Sequence, residues 1–300
     1  MKYDDVMKLA LERGFYFPSC EIYSDAQAGF WEYGPAGVSL KNKFLELWRR
    51  ELLRRDKMIE IDGSQIMSSS VFEASGHLTS FADPIVRCTK CKSTHRADRI
   101  ISELAKIEIP ESADLEEFDK VITEKNIKCP KCNSNFENTK KFNMMFQVGI
   151  GPEGEPAYLR PETCQSIFVD FPRLFKTMRG KLPLGIAQTG KSFRNEIAPR
   201  QSLLRLREFY QAEIEVFCNP AKLNDLDKFS EIQDTEIRIQ VNDEVKALTC
   251  KEAVDLQIIP NKFVAYYLGI LAEFYEKTGI DMKKSRFRKL GEKEKAFYAE

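Results

Sequence analysis

The sequence predicts an α+β protein that carries an inserted metal-binding module. Apolar residues recur at helical spacing in two long segments, 40–53 and 261–277. Apolar and polar residues alternate through 191–217 on both sides of a loop, which indicates an antiparallel hairpin. Two Cys-x-x-Cys pairs flank a charged stretch between residues 88 and 132, which is typical of a separate module built around a metal.

The helices can be placed in chain order from their apolar stripes. A first helix is expected at 4–13, and the helix at 40–53 is followed by a short strand. The segment 222–246 is highly charged and is expected to be exposed to solvent, whereas 261–277 should form an amphipathic helix. The stripe of the second helix consists of Leu40, Phe44, Trp48 and Leu52, and that of the last helix of Val264, Tyr267, Leu268, Leu271 and Phe274.

Composition narrows the class of protein. The 300 residues suffice for two domains or for one domain with insertions. No apolar run approaches the ~18 residues of a membrane span, and the N-terminus lacks the apolar region of a signal peptide, so we expect a cytoplasmic protein with no membrane partner. The 46 basic residues balance 46 acidic ones, which removes a globally basic nucleic-acid surface but allows a local one. Eight cysteines without an export signal indicate reduced thiols or metal ligands.

The two cysteine pairs predict a structural zinc site. Cys88 and Cys91 form one pair, and Cys129 and Cys132 form the other. Four thiolates suit a closed tetrahedral Zn²⁺ site, and the long gap between the pairs predicts helices between them. A redox role for either pair and replacement of one ligand by His95 are the alternatives.

The hairpin at 191–217 carries the most informative chemistry. Its arginines suit bidentate contacts to phosphate groups. Acids and amides in the middle of its second strand are costly to bury unless they form the floor of a polar cleft. A hairpin held by salt bridges, with Glu196 and Glu208 neutralising two arginines, explains the composition equally well. The arginines are Arg194, Arg200, Arg205 and Arg207, and the polar face of the second strand carries Phe209, Gln211, Glu213 and Glu215.

The order of these residues resembles motif 2 of the class II aminoacyl-tRNA synthetases. Phe-Arg-Asn-Glu from Phe193 is followed by a loop and by Arg-x-Arg-Glu-Phe-x-Gln-x-Glu from Arg205. Other segments resemble the dimeric archaeal and eukaryotic type of glycyl-tRNA synthetases. The third motif and an anticodon-binding domain of that family have no counterpart, so we expect the sequence to be its N-terminal part. The matching segments are 29–38, 75–77, 160–165 and 286–288.

The resemblance implies both fold and activity. The fold would be an antiparallel β-sheet flanked by helices, with the zinc module inserted. The activity would be ATP-dependent formation of glycyl-adenylate and transfer of glycine to tRNA(Gly), with Mg²⁺ bound to ATP, in a homodimer. The implied domains are 1–84 (first part of the catalytic domain, with motif 1), 85–145 (zinc-binding insertion), 146–217 (catalytic core with motif 2) and 218–300 (a helical, charged insertion and the return to the catalytic domain, truncated).

The resemblance also implies a role for individual residues. Arg194 would be the catalytic residue, binding the α-phosphate of ATP. Phe209 would stack on adenine, and the carboxylates of Glu162 and Glu213 would hold the ammonium of glycine. The implied ATP-binding residues are Arg194, Asn195, Glu196, Leu204, Arg205, Leu206, Arg207, Glu208 and Phe209, and the implied glycine-binding residues are Arg96, Glu162, Phe209, Gln211 and Glu213.

Two other functions fit parts of the sequence. Histidyl enzymes, another class II synthetase type, also carry an Arg-Pro-Glu segment like the one at Arg160. A synthetase-derived RNA-binding or regulatory protein without catalysis would also lack the third motif. One departure bears on the dimer, because Ser68-Ser69-Ser70 stands where motif 1 usually has a proline.

Overall fold

The computed structural model describes residues 3–110, 113–199 and 202–291. Arg200, one of the four arginines of the hairpin, lies outside these ranges. The described chain is a mixed α+β structure with antiparallel sheets, as predicted. The helices are α1 Tyr3–Glu12, α2 Pro35–Trp48, α3 Ser69–Ala74, α4 His77–Ser80, α5 Ala97–Ala105, α6 Leu115–Glu124, α7 Cys164–Thr177, α8 Cys250–Asp255 and α9 Lys262–Lys277.

The strands form small sheets of two or three strands each. The strands are β1 Tyr16–Pro18, β2 Trp31–Tyr33, β3 Ile59–Ile61, β4 Ile66–Ser68, β5 Ala82–Arg87, β6 Thr94–Arg96, β7 Lys140–Asn143, β8 Phe146–Ile150, β9 Glu155–Leu159, β10 Leu184–Phe193, β11 Glu208–Phe217, β12 Glu236–Val241, β13 Glu244–Thr249 and β14 Phe287–Arg288. The orders of the strands in the sheets are β1-β2, β11-β10-β3, β13-β12-β14, β4-β9-β8 and β6-β5-β7.

The predicted hairpin is the pair β10–β11. The two strands pair antiparallel along their whole length, from Leu184 opposite Phe217 to Phe193 opposite Glu208. The sheet is not wholly antiparallel, however, because β3 lies parallel to the other side of β10. A parallel pair needs a long crossover connection, and here the chain between β3 and β10 supplies it.

The largest apolar core joins α2 to the C-terminal helices. Trp48 and Leu52 are buried in it, and α2 continues through a π-helical turn, Arg49–Leu53. On α9, the buried residues include Tyr266 and Ile270, and Asn261 caps the helix by accepting a hydrogen bond from the Val264 N–H. The amphipathic patterns of the sequence therefore place most of this core, but Leu40, Phe44 and Val264 of the predicted stripes are exposed.

The expectation that 222–246 is exposed is wrong in part. Phe229 and Ile232 are buried against α9, and Ile237 and Ile239 of β12 face the same core. Charged residues outnumber the apolar ones in this segment, so its overall composition is polar. The composition does not reveal that the apolar residues of the short strand β12 lie on one buried face.

Residues 85–145 contain a second apolar cluster. It lies between β5 and the helices α5 and α6, and Asp119 of α6 accepts hydrogen bonds from the backbone N–H and the hydroxyl of Thr139 at 2.7 and 2.6 Å. The buried members of the cluster are Val86, Ala97, Ile100, Ile101, Ile109, Phe118 and Ile127.

Among the described helices, none is both long and apolar enough to cross a membrane.

Candidate active site and metal centre

A buried arginine, Arg160, connects the strands that carry the candidate active site. Arg160 is 1% exposed and follows β9. Its guanidinium donates to the carbonyls of Lys191 at 2.8 Å and Gly63 at 2.9 Å. A Cβ on Gly190 would stand 2.2 Å from the Arg160 Nη2 atom, so the glycine makes room for this side chain. The arginine thus ties the start of the following segment, which carries Glu162, to β10.

Glu162 is a buried carboxylate at the start of α7. Its Oε1 atom accepts hydrogen bonds from Gln165 Nε2 at 2.7 Å and Cys164 Sγ at 3.1 Å, and it lies 3.2 Å from His77 Nε2. Burial alone would raise the pKa of Glu162, but the contacts from His77, Cys164 and Gln165 outweigh it and lower the pKa to about 2. The group is therefore an anion at neutral pH.

The guanidinium of Arg194 lies beside this carboxylate. Arg194 directly follows β10, and its Nη2 atom is 3.9 Å from Glu162 Oε2. Its Nε donates to the carbonyl of Pro161 at 3.1 Å, and its backbone N–H donates to the Arg207 carbonyl at 2.9 Å. The guanidinium is thus oriented from two sides while remaining partly exposed.

Glu213 of β11 completes a pair of carboxylates with Glu162. Its Oε2 atom accepts hydrogen bonds from the backbone N–H and hydroxyl of Thr163 at 3.1 and 2.6 Å. Burial raises the pKa of Glu213, and the charge of Glu162 adds to that effect, while Thr163 and Arg194 oppose it. A buried and a half-buried carboxylate that repel each other form a site that a compact cation would stabilise.

Glu215 lies two residues further along the same face of β11. Burial and the charges of Glu213 and Glu162 raise the pKa of Glu215 to about 7. Because the folded state favours the protonated form, this group costs no stability below its ordinary pKa of 4.5; the cost builds up as the pH rises from there to about 7 and stays constant above that.

Replacing Glu215 by glutamine should therefore stabilise the protein much more at pH 8.5 than at pH 5. We expect a gain on the order of 1–3 kcal/mol in the free energy of unfolding at the higher pH. Urea unfolding at both pH values measures it, with the exposed Glu236→Gln as control. Equal effects of Glu215→Gln at the two pH values would contradict the assignment.

The charged residues Lys191, Glu196, Arg205, Arg207 and Glu208 of the hairpin make contacts within the protein. Arg205 Nε donates to Glu196 Oε2 at 2.7 Å, and Lys191 forms an ion pair with Glu208. Arg207 donates to the carbonyls of Glu196 at 2.9 Å and Ala28 at 2.8 Å. Glu196 thus neutralises an arginine as the composition suggested, whereas Glu208 pairs with a lysine instead of a second arginine. These pairs hold the predicted ATP-binding residues in place.

Aromatic rings lie on either side of Arg194. The guanidinium carbon is 5.4 Å from the centre of the Phe209 ring and 5.5 Å from that of Phe81. Next to it, Gln211 Oε1 accepts a hydrogen bond from the Ser192 hydroxyl at 3.1 Å. Of the other predicted ATP-binding residues, Leu204 is 72% exposed and Asn195 donates its backbone N–H to the Met144 carbonyl at 2.7 Å. A cavity of about 390 Å³ nearby is lined by Leu206, Glu208 and Phe209 among others.

Arg96, predicted to bind glycine, lies in β6. Its guanidinium pairs with Asp83 at 3.1 Å and with Asp98 at 2.8 Å. These two aspartates fix the orientation of the side chain. The contact of Arg96 with glycine stays a prediction.

The four predicted cysteine ligands come together at one end of β5. Their Sγ atoms all lie within 4.8 Å of one another, with Cys88 and Cys132 at 3.4 Å and Cys91 and Cys129 at 3.6 Å. A tetrahedral Zn–thiolate site has Sγ–Sγ edges of about 3.8 Å, so this set of ligands fits a metal ion. A hydrogen bond from Ser93 lowers the pKa of Cys91, which favours the thiolate form that a metal requires.

Sequence reasoning assigned no role to several neighbours of the carboxylates. His77 and Gln165 contact Glu162, and Thr163 contacts Glu213. Thr163 and Gln165 follow Glu162 directly in the chain, and that adjacency was the available signal for them. His77 comes from a distant segment, and its only signal in the sequence is the resemblance of 75–77 to the synthetase family.

The chain is similar to known tRNA synthetases. Residues 141–237 match the model of the class II core domain of tRNA synthetases (G, H, P, S and T). The chain is 40% identical over 304 residues to a glycine–tRNA ligase of Methanothrix thermoacetophila, covering 99% of this chain and 52% of the relative. It is 42% identical over 305 residues to a glycine–tRNA ligase of Pyrococcus furiosus, covering 99% and 53%.

The chain spans about half the length of these relatives. A solved structure of the RNA-binding domain of threonyl-tRNA synthetase from Cryptosporidium parvum shares 19% identity with a TM-score of 0.43, covering 91% of this chain and 52% of that one, a likeness too weak to carry an argument. The matched core domain contains the hairpin, Glu162 and Arg194, and the archaeal relatives match along almost the whole chain. Residues 141–237 thus match the class II core domain of tRNA synthetases, and almost the whole chain is similar to the archaeal glycine–tRNA ligases.

Proposed function

We propose that the protein at its full natural length attaches glycine to tRNA(Gly) in two steps. Glycine and ATP first form glycyl-adenylate with release of pyrophosphate, and glycine then moves to the terminal ribose of the tRNA. The observation that supports this most directly is the proximity of Glu162, Glu213 and Arg194 beside the hairpin. An anion pair suited to an ammonium stands there beside a cation suited to a phosphate.

Formation of glycyl-adenylate requires that glycine and ATP are positioned correctly and that the charge developing on the phosphate is stabilised. The carboxylate of glycine is itself the nucleophile that attacks the α-phosphorus, so the protein need not supply a base. Arg194 would bind the α-phosphate and stabilise the charge that develops there. Glycine has no side chain to hold, so its ammonium is the natural handle for Glu162 and Glu213. Larger amino acids can be rejected by steric clash.

Phe209 would stack on adenine on the other side of Arg194. The remaining residues in the proposed ATP site act through the pairs already present, Arg205 with Glu196 and Lys191 with Glu208. Mg²⁺ bound with ATP would offset the charge of the phosphates. We propose a structural Zn²⁺ on Cys88, Cys91, Cys129 and Cys132; with four thiolates it has no open position for catalysis. A homodimer in the cytoplasm completes the proposal.

Glycine-dependent exchange of pyrophosphate into ATP tests this function. We expect exchange with glycine and none with alanine, serine or histidine, followed by charging of tRNA(Gly). Exchange with histidine would favour the histidyl type of enzyme, and RNA binding without any exchange would favour a regulatory protein. No feature of the described residues favours either of these alternatives.

Changing Glu162 or Glu213 to glutamine should weaken glycine binding selectively. The substitution keeps the shape and removes the negative charge that the ammonium needs. Loss of a hydrogen-bonded charge pair costs about 1.5–3 kcal/mol, so we expect the KM for glycine to rise by at least about tenfold. The KM for ATP in the exchange assay should change little, because these carboxylates are assigned to the ammonium.

Glu208→Gln is the matched control for these variants, because Glu208 lies on the same strand and is assigned to the ATP site. It should affect ATP more than glycine. An equal rise in both KM values for Glu162→Gln and Glu213→Gln would contradict their assignment. A loss of stability with no selective effect on glycine would mean that the two acids only support the fold.

A further inference from the structure

His77 is buried next to the proposed glycine site, and the sequence assigns it no role beyond its place in the matching segment 75–77. It begins α4 and is 2% exposed. Its ring packs against Phe72 at 6.0 Å and Phe81 at 5.5 Å between ring centres. The backbone carbonyl of His77 accepts a hydrogen bond at 3.1 Å from the amide of Asn143. The imidazole is therefore held in one place from several sides.

Both ring nitrogens have polar partners. Nε2 lies 3.2 Å from Glu162 Oε1, and Nδ1 lies 2.9 Å from the hydroxyl of Ser75. If the Ser75 hydroxyl donates to Nδ1, the neutral ring carries its proton on Nε2 and donates it to Glu162. Ser75 would thus select the tautomer that can hold the carboxylate.

His77 differs from the two other donors to this oxygen. Cys164 and Gln165 follow Glu162 directly and belong to α7, so they move together with it. Of these three donors, His77 alone comes from another part of the fold. It therefore fixes Glu162 relative to the rest of the site, whereas the other two fix it relative to α7, which begins two residues after it.

The two oxygens of Glu162 are distinguished by this arrangement. The three donors converge on Oε1, whereas Oε2 is the oxygen directed at the guanidinium of Arg194, at 3.9 Å. Holding Oε1 limits rotation of the carboxylate and keeps Oε2 towards the space between Arg194 and Glu213. That is where the ammonium of glycine is proposed to bind.

We propose that His77, with its tautomer set by Ser75, is a positioning residue that orients Glu162 for binding of the glycine ammonium. This inference rests on the function proposed above. It assigns His77 no contact with substrate, because its effect passes through Glu162.

The test uses the protein at its full natural length in glycine-dependent pyrophosphate exchange. His77→Phe keeps an aromatic ring between Phe72 and Phe81 but removes the donor. We expect its KM for glycine to rise by about tenfold, with the KM for ATP unchanged within about twofold. His77→Gln, which restores an N–H donor, should recover part of the loss, and Ser75→Ala should give a smaller rise.

A double-mutant cycle separates positioning from general support of the fold. If His77 acts through Glu162, His77→Phe added to Glu162→Gln should cause no further rise in the KM for glycine. Ile270→Ala, in the apolar core around α9, controls for lost stability and should lower the melting temperature without changing the ratio of the two KM values.

Several results would contradict the proposal that His77 orients Glu162. Equal rises in both KM values, or fully additive effects in the cycle, would show that His77 only supports the fold. If His77→Phe does not fold, Ser75→Ala and His77→Gln decide, and an unchanged KM for glycine in both refutes the proposal. Absence of glycine-dependent exchange in the unmodified protein would instead refute the proposed function itself.

Discussion

Replacing Arg194 by alanine should nearly abolish glycine-dependent pyrophosphate exchange while leaving the fold intact. Arg194 stands between the carboxylates assigned to glycine and the ring of Phe209 assigned to adenine. A guanidinium held there would stabilise charge that grows on the α-phosphate in the transition state. Removing one such oriented donor typically costs about 10²–10³ in rate.

The fold should tolerate this change because the Arg194 side chain is 34% exposed. The main protein hydrogen bond lost is the one from its Nε to the Pro161 carbonyl. Thermal unfolding of the variant should therefore lie close to that of the unmodified protein. A large loss of stability would mean that Arg194 supports the fold and that the rate effect is indirect.

Two further variants sharpen the measurement on Arg194. Arg194→Lys keeps the charge but loses the planar fork, so it should recover only part of the activity. Arg99→Ala removes an exposed arginine of α5 and should leave exchange unchanged. Near-normal exchange by Arg194→Ala would remove this residue from the mechanism.

The parts of the structure that the sequence predicted best depend on local spacing. Trp48 and Leu52 recur at helical spacing, and both are buried where the stripe predicts. The alternation along 208–217 predicts which side chains share a face, so Glu213 and Glu215 lie together. The cysteine spacing predicts the cluster around Cys88 because each pair needs only a tight turn.

The parts that sequence reasoning missed depend on contacts between distant segments. The ionised state of Glu162 comes partly from His77, and the anchor of Arg207 is the carbonyl of Ala28. Neither contact leaves a periodic or local signal. The buried side chains of Phe229 and Ile232 were hidden by the many charges around them. A parallel neighbour for β10 likewise depends on how the chain crosses over, which no local pattern reveals.

Loss of the proposed zinc ion should unfold 85–145. Metal analysis should find one zinc per chain, and Cys91→Ser should remove it. Structural zinc sites contribute about 10–16 kcal/mol in small domains, much more than one small apolar cluster can replace. Protease cleavage between 98 and 128 should therefore become rapid in the metal-free protein.

The matched control is Cys20→Ser, because Cys20 is exposed and lies outside the cluster. It should keep the zinc and the resistance to protease. Titration of thiols in the native state should find the four clustered cysteines protected and Cys20 reactive. An absence of zinc, with all four clustered thiols freely titratable, would refute the metal site.

Loss of the zinc ion should also disturb the proposed active site, because residues at both ends of 85–145 lie next to that site. Phe81 immediately precedes β5 and packs against Arg194, and the carbonyl of Met144, directly after β7, accepts a hydrogen bond from the Asn195 N–H at 2.7 Å. We therefore expect metal removal to lower the exchange rate, although no ligand cysteine is assigned to substrate. Full exchange by a metal-free protein that is cleaved within 98–128 would show that the two sites are independent.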